Sequence, residues 1–528
     1  MKLLPLFLRW NVLILCPLLR LLGAEGATPP AEAFFGLDRL WAFHLSFSSE
    51  EWAALQPTDP LNGQRLGPGF GPGQLKREYP WSQAAFTGAG SSLPDLRLRF
   101  KGNSSYNLSR NSWKRPFKLD FNRGNPGRKL AGQKELLLNN NVNDGTQFRE
   151  ALAYQLFRAA GVPAPRTAFA QVHLSVSGQC TNLYLGLYTV VEAVESGFLK
   201  ERFGSAKGLL LKPERIQGLD FLGSDWAAYE ARYCPKGDST KAERERFVAL
   251  TRLIADAADA DFVSDLPKRL DVENFLTFLA VNAVLANYDS FLGMGHNYYL
   301  FQPENLAPLR FIPWDLNEAF GGHPGLGGRA EQATLSVLQP QASQNRLVER
   351  TLAHPAWANQ YRGILNRLMT EVISPTRLTT MMDLTSKTVR EAVIKESPRA
   401  AVAFRRSLAI EQEAKPKDPV EGPKPRRNED VRVESSEFRP GGPGGPGGPG
   451  GPGEGFRGEM RDDISFQGWW KLREKWVREE LDGSRVAPVA KMRMRRGPGG
   501  PNRPSEPNRG GRAEGSVRPS ATEDKRNP

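Results

Sequence analysis

The chain has 528 residues, 39% of them hydrophobic, and 71 Lys and Arg against 58 Asp and Glu give a formal net charge of +13. With 11 Trp and 28 Phe there is ample apolar material for a core of two or three domains by length. No segment after the N-terminus is long and apolar enough to cross a membrane, and the 3 Cys are too few for a zinc site built on thiolates.

The first 27 residues read as an export signal. Lys2 and Arg9 supply positive charge, "NVLILCPLLRLLGA" supplies the apolar part, and Ala24, Gly26 and Ala27 offer a cleavage site. If Cys16 leaves with that segment, Cys180 and Cys234 remain in an oxidising compartment, either bridged or as two separate buried thiols.

From Phe35 to about Leu130 the pattern is mainly β. "LWAFHLSF" (40–47) alternates, and "DLRLRFKG" (95–102) puts Leu96, Leu98 and Phe100 on one face. "RPFKLDF" (115–121) puts Phe117, Leu119 and Phe121 on one side and Lys118 and Asp120 on the other, so the two runs predict a hairpin through a Gly/Ser/Asn-rich connection. That connection carries Asn103-Ser-Ser and Asn107-Leu-Ser, both matches to the glycosylation acceptor pattern.

Residues 144–161 predict a helix capped by Asp144 or Thr146 and ended by Gly161, with Phe148, Leu152 and Leu156 as its buried stripe. Glu150 lies about 200° from Leu152 on that helix, whereas Arg149 sits closer to the stripe. Two strands follow, "RTAFAQVHLSV" and "LYLGLYTVVEAV", then helices near 241–256 and 271–287. The last of these is apolar on most sides, which predicts a buried central helix.

Helical pattern resumes from about 344 to 410. Beyond it, "GGPGGPGGPGGPG" (441–453) reads as a flexible linker, too short for a collagen triple helix. Residues 466–481 predict a helix whose Trp469, Trp470, Leu472, Trp476, Val477 and Leu481 need burial, most simply by folding back onto the body, with a membrane surface or a partner as the alternative. The basic tail after Ala487, rich in Gly and Pro, reads as a solvated disordered segment whose charge suits nucleic acid, anionic lipid or cell-wall polymer alike.

The candidate chemistry lies around "RFIPWDLNEAFG" (310–321), where Asp315 ends a short apolar strand. Upstream, the buried helix runs into "NYDSFLGMGHNYYLF", with Asp289, His296 and Asn297. If "NYYLF" and "RFIPW" pair as a hairpin, Asp289 and Asp315 come to the same end, although 26 residues separate them. On residue type alone Asp315 is more often a turn or helix cap, and His296 a satisfied structural histidine. Protein kinases use the same order of parts, with a loop Asp for the hydroxyl proton and an Asn and a second Asp for magnesium. Their loop Asn follows the Asp by about five residues, against eight here.

In these stretches the chain resembles the CotH family of secreted or spore-coat atypical protein kinases. The matching runs are "RFKGNSSYNLSRNSWKRPFKLDFN", "FREALAYQLFRAAGVPAPRTAFAQVHL", "GLYTVVEAVESGFLKERFG", "FLAVNAVLANYDSFLGMGHNYYLF" and "FIPWDLNEAFG". The resemblance implies an α+β, protein-kinase-like two-lobed fold: a β-rich N-lobe over 35–195 and a mainly helical C-lobe over 196–410. A disordered Pro/Gly-rich insertion (411–463), the Trp-rich helix (464–482) and a basic tail (483–528) would follow.

It implies transfer of the ATP γ-phosphate, with Mg²⁺ or Mn²⁺, to Ser or Thr of a surface or extracytoplasmic protein. Asp289 would orient the acceptor hydroxyl, and Asp315 and Asn297 would hold the metal. Lys118 or Lys114, with Arg149, would contact phosphates, and the backbone from Glu192 to Val194 would grip adenine. The expected protein is a secreted or envelope monomer with no specific nucleic-acid partner. The rival reading is a non-catalytic surface protein that keeps the fold as a scaffold and attaches to anionic polymer through its tail.

Overall fold

A computed structural model describes residues 28–57, 78–216, 218–408 and 464–491. The export signal, the 411–463 insertion and the tail past residue 491 lie outside the described residues. Seven strands form a closed barrel: β1 (Leu40–Phe47), β2 (Ser82–Gly88), β3 (Ser91–Phe100), β4 (Phe117–Asp120), β5 (Glu135–Asn139), β6 (Thr167–Val176) and β7 (Cys180–Glu192). Their order is β1-β2-β3-β4-β5-β7-β6, and a parallel β1–β6 pairing closes the ring. Alternation explains the filling. Phe43, Leu45, Leu98, Phe100, Phe117, Leu119, Leu138 and Val190 point inward into one apolar cluster.

The outward residues of β5, β6 and β7 have a different fate. Leu137, Phe169, Leu187 and Val191 belong to the larger apolar cluster, which also contains the helices of the second half. Between barrel and helices lies the Arg149–Ala159 helix, buried on almost every side. It starts five residues later than the sequence pattern predicts. Gln147 has φ +64°, which no α-helix accommodates, and Asp144 caps from upstream by accepting the Arg149 N–H at 2.7 Å. Its C-terminus is a Schellman end: Val162 N–H donates to the Phe157 carbonyl and Gly161 N–H to that of Arg158, both at 3.0 Å.

The expected β3–β4 hairpin is present, with Leu98 opposite Leu119 and Arg99 opposite Lys118. Its connection is a short helix, Ser104–Ser109, and not an open turn. A second sheet, antiparallel in the order β10-β9-β8, is built from β8 (Gly208–Leu211), β9 (Tyr298–Pro303) and β10 (Arg310–Pro313).

The central helix Val272–Val284 is capped by Asp271, which accepts the Asn274 N–H at 3.0 Å. It stops at Val284, short of residue 287, because Ala286 takes a left-handed φ of +45°. Its last carbonyls are met from far along the chain. In the Phe466–Leu481 helix, the fully buried Arg473 donates to the carbonyls of Ala283, Val284, Ala333 and Leu335. Phe466, Trp469, Trp470 and Val477 of that helix lie in the larger core. Order persists beyond it, since Ser336 N–H donates to the Pro488 carbonyl at 2.8 Å. No disulfide joins Cys180 to Cys234, and no described helix is long and apolar enough to cross a membrane.

Replacing Arg473 with Met takes the guanidinium donor from the carbonyls of Val284, Ala333 and Leu335 and leaves that of Ala283 with the Ala286 N–H. We expect Arg473→Met to lower unfolding free energy by roughly 3–5 kcal/mol in urea titrations. Trp476→Ala, which loses a partly exposed ring under the Arg485 guanidinium, is expected to cost about 1 kcal/mol. Equal midpoints for the two variants would contradict this account.

Candidate active site

The β9–β10 register places Pro313 opposite Tyr298 and Ile312 opposite Tyr299. One step further, the Trp314 N–H donates to the Asn297 carbonyl at 3.1 Å. Asn297 before β9 and Asp315 after β10 therefore flank one end of the hairpin. Both have left-handed backbones, φ +59° and +52°. Asn and Asp bear that conformation better than other side chains, so the strand ends there and the two polar groups leave its plane.

Asn297 Nδ2 donates to the Asp289 carboxylate at 2.9 Å and to its backbone carbonyl at 2.8 Å. His296 Nε2 lies 2.7 Å from the other Asp289 oxygen. Burial pushes the His296 pKa down, but the Asp289 hydrogen bond and the charges of Asp289, Glu214 and Asp315 more than offset it, so the net shift is upward. The loop between these residues depends on Gly295 (φ +67°). A Cβ there would meet the backbone of Ile216 at 2.6 Å.

Asp315 is held from the opposite side. Its N–H donates to the Tyr154 hydroxyl at 3.0 Å. Tyr154 stands one turn after Glu150, so the Arg149–Ala159 helix presents both residues to the site. Glu150 Oε2 accepts from Asn139 Nδ2 at 2.7 Å, while Oε1 is buried with no hydrogen-bond partner. Burial, then the charge of Asp315, raise the Glu150 pKa to about 7.

Asn139 also accepts from Lys101, just past the end of β3, so it bridges that ammonium to Glu150. Burial lowers the Lys101 pKa, against the pull of Asp315 and Glu150. A second lysine, Lys212 after β8, lies 5.8 Å from the Tyr299 ring centre and 6.0 Å from that of Trp314, and it too feels Asp315.

Two more residues complete the group. Glu318 accepts at 2.8 Å from His323 Nδ1, and its pKa is raised by burial and then by Asp289. Ligand atoms of Asp289, Glu318 and His323 lie within 4.8 Å of one another.

Asp289, Asn297 and Asp315 are thus brought together. Arg149 is buried beside the following loop, its Nη1 3.4 Å from the Asn317 carbonyl and its Nη2 3.7 Å from Asp144. The other predicted residues have other company. Lys118 pairs with Glu135 at 2.7 Å, and Lys114 with Glu396 at 2.7 Å. The Glu192 carboxylate is fully buried against Arg166, and its N–H donates to the Arg166 carbonyl at 2.9 Å. Val194 packs on the larger core.

The sequence pattern passed over Lys101, Lys212, Glu318 and His323, and its helical angle set Glu150 aside. Lys101 falls on the outward register of its strand, where a lysine normally meets solvent. What draws it toward the acids is Asn139, which joins the half-buried Lys101 to Glu150 of the Arg149–Ala159 helix.

A family model described as CotH kinase protein matches residues 98–415. "Inner spore coat protein H" of Bacillus subtilis (strain 168) is 25% identical over 247 residues, 46% of this chain and 63% of that protein, so under two thirds of that relative is spanned. Among solved structures, the Helicobacter pylori proinflammatory kinase CtkA aligns at 11% identity, over 55% of this chain and 93% of its own, with a TM-score of 0.22. HipA of the Shewanella oneidensis MR-1 toxin–antitoxin complex aligns at 12% identity, over 52% of this chain and 57% of its own, with a TM-score of 0.23. At such scores the likeness carries no structural argument.

The raised Glu150 pKa has a sign that can be checked. Between pH 4.5 and about 7 the folded protein holds a proton that the unfolded chain has released, so this residue's contribution to stability falls as pH rises. In metal-free protein, melting temperatures from pH 5 to pH 7 should fall more steeply for the wild type than for Glu150→Gln. Parallel slopes would refute the assignment.

Proposed function

Since the chain belongs to the CotH kinase protein family, we propose that it transfers the γ-phosphate of ATP to Ser or Thr side chains of proteins outside the cytoplasm. One observation carries the reading: four carboxylates, from Asp289, Asp315, Glu318 and Glu150, act on one another around two half-buried lysines, Lys101 and Lys212. Such a group is poorly balanced alone and suits a polyphosphate with its cations.

The donor set fits a hard divalent ion. It offers carboxylate oxygens from Asp315 and Asp289, with Glu318 close by. Asn297 spends its amide hydrogens on Asp289, which leaves its carboxamide oxygen to face a cation. Asp315 and Asn297 would hold Mg²⁺ or Mn²⁺, and the ion when bound neutralises charge on phosphate oxygens. Everything else falls to the chain's own residues. Lys101, positioned through Asn139 and Glu150, neutralises phosphate charge, and Lys212 does so from the hairpin side. Asp289 orients the acceptor hydroxyl and takes its proton, while His296 and Asn297 fix the carboxylate's direction.

The N-terminal export pattern supports a location outside the cytoplasm, and the relative named as an inner spore coat protein supports a coat or envelope setting. The basic tail suits attachment to anionic polymer there.

The test is incorporation from γ-labelled ATP, with Mg²⁺ or Mn²⁺, into the protein itself or a generic acceptor. Asp289→Asn and Asp315→Asn should each lower the rate by about 10³-fold or more without lowering the melting temperature. Lys101→Met should cost about 10²-fold, whereas Lys118→Met, which loses a partner of Glu135, should change the rate by less than about threefold. Full activity in both aspartate variants, or none in the wild type, would leave only a scaffold role.

A further inference from the structure

Away from the acids, one face of the Lys241–Asp256 helix forms the wall of a groove of about 690 Å³. Lys241, Arg244 and Arg252 fall at positions 0, 3 and 11 of that helix. At 100° per residue these lie within roughly 80° of one another. Arg269, from the end of the next helix, lines the groove as a fourth cation. Val248 and Ala249 lie between the charges, and Trp226 borders the groove with the Arg244 guanidinium 5.9 Å from its ring centre.

Cations outnumber acids on the lining, four to two. Arg244 and Arg269 each have a buried Nε with no hydrogen-bond partner. Arg252 is tied at 2.6 Å to a neutral hydroxyl, that of Ser224. The acids on the lining are Glu245, in a loose 3.7 Å contact with the highly exposed Lys241, and exposed Asp256.

We propose that this groove binds an acidic, extended segment of a partner protein. The spacing decides between anionic ligands. Eleven residues of helix separate Lys241 from Arg252, about 16 Å at 1.5 Å per residue. A single phosphate requires cations converging on one point. A strip of this length instead matches about five residues of extended chain at 3.3 Å each, with carboxylates facing the cations and the backbone lying over Val248 and Ala249. The groove is separate from the residues assigned to phosphate transfer, so binding can be read without catalysis.

Fluorescein-labelled peptides carrying five consecutive Glu, five consecutive Gln, or one phosphoserine among Gln would be titrated with the full chain, with anisotropy as the readout. The Glu peptide should bind, more weakly as salt rises, and the Gln peptide should not. The double variant Lys241→Glu with Arg252→Glu, both at exposed positions, should weaken Glu-peptide binding at least tenfold. Arg269→Gln should weaken it severalfold and Lys118→Glu not at all. Undiminished binding by the double variant would assign the affinity to another basic region and overturn the proposal. So would a response confined to the phosphoserine peptide.

Discussion

The site hangs on a backbone hydrogen bond, from the Trp314 N–H to the Asn297 carbonyl, that continues the β9–β10 ladder one step past its regular pairs. A slip of one residue in that register would turn Asp315 to the other face of the sheet. The hairpin is held in register because both its faces are occupied. Phe311 packs against Phe275 and Phe278 of the central helix, with ring centres 5.1 and 5.0 Å away. Tyr299 and Trp314 pack edge to face at 5.2 Å on the side where Lys212 lies. The left-handed backbones of Asn297 and Asp315 each carry some strain, of the kind that persists only where surrounding contacts over-determine it. Here those contacts are the Asp289 bonds on one side and the Tyr154 hydroxyl on the other.

Within that frame the charges explain one another. Four carboxylates share a poorly hydrated space, and the pKa values of Glu150 and Glu318 rise because burial and neighbouring aspartates both oppose ionisation. Two lysines and two histidines answer part of that charge. A site organised in this way reacts strongly to an arriving cation or phosphate, because its dipoles and charges are already in place and need little rearrangement. The same arrangement weakens the empty fold, which is a common feature of residues kept for chemistry.

Parts of this were legible in the sequence because they rest on local rules. Alternation located β1, β3 and β4, and the apolar run at 271–287 announced a buried helix. The spacing of Asp289, Asn297 and Asp315 around two short apolar runs was enough to bring them to one end of a hairpin. Which lysine meets the acids did not follow from local rules. Lys101, Lys114 and Lys118 all sit in or near strands, and only the packing of the Arg149–Ala159 helix decides which of them faces acid within the site. That helix also defeated the stripe argument for Glu150. An amphipathic angle is informative for a helix with one wet side, and this one, enclosed by barrel and helical core, has almost none.

The Phe466–Leu481 helix lies past the end of the family match, at residue 415, yet the site's geometry leans on it. Arg473 closes the C-terminus of the central helix, and Asp289 comes five residues after that helix ends. Glu480 accepts the Val337 N–H at 2.8 Å and also the Ser336 hydroxyl. Trp469 lies so close to Gly321 that a Cβ there would meet its indole nitrogen at 2.6 Å, in the segment carrying Glu318 and His323. The loops that present Asp289 and Glu318 are therefore fixed from behind by one helix, through an arginine whose hydrogen bonds go to backbone carbonyls. Buried carbonyls at a helix end attract such a cation as a salt bridge would, with the macrodipole's negative end supplying the countercharge. The working unit of the site is thus larger than the stretch over which the family can be recognised.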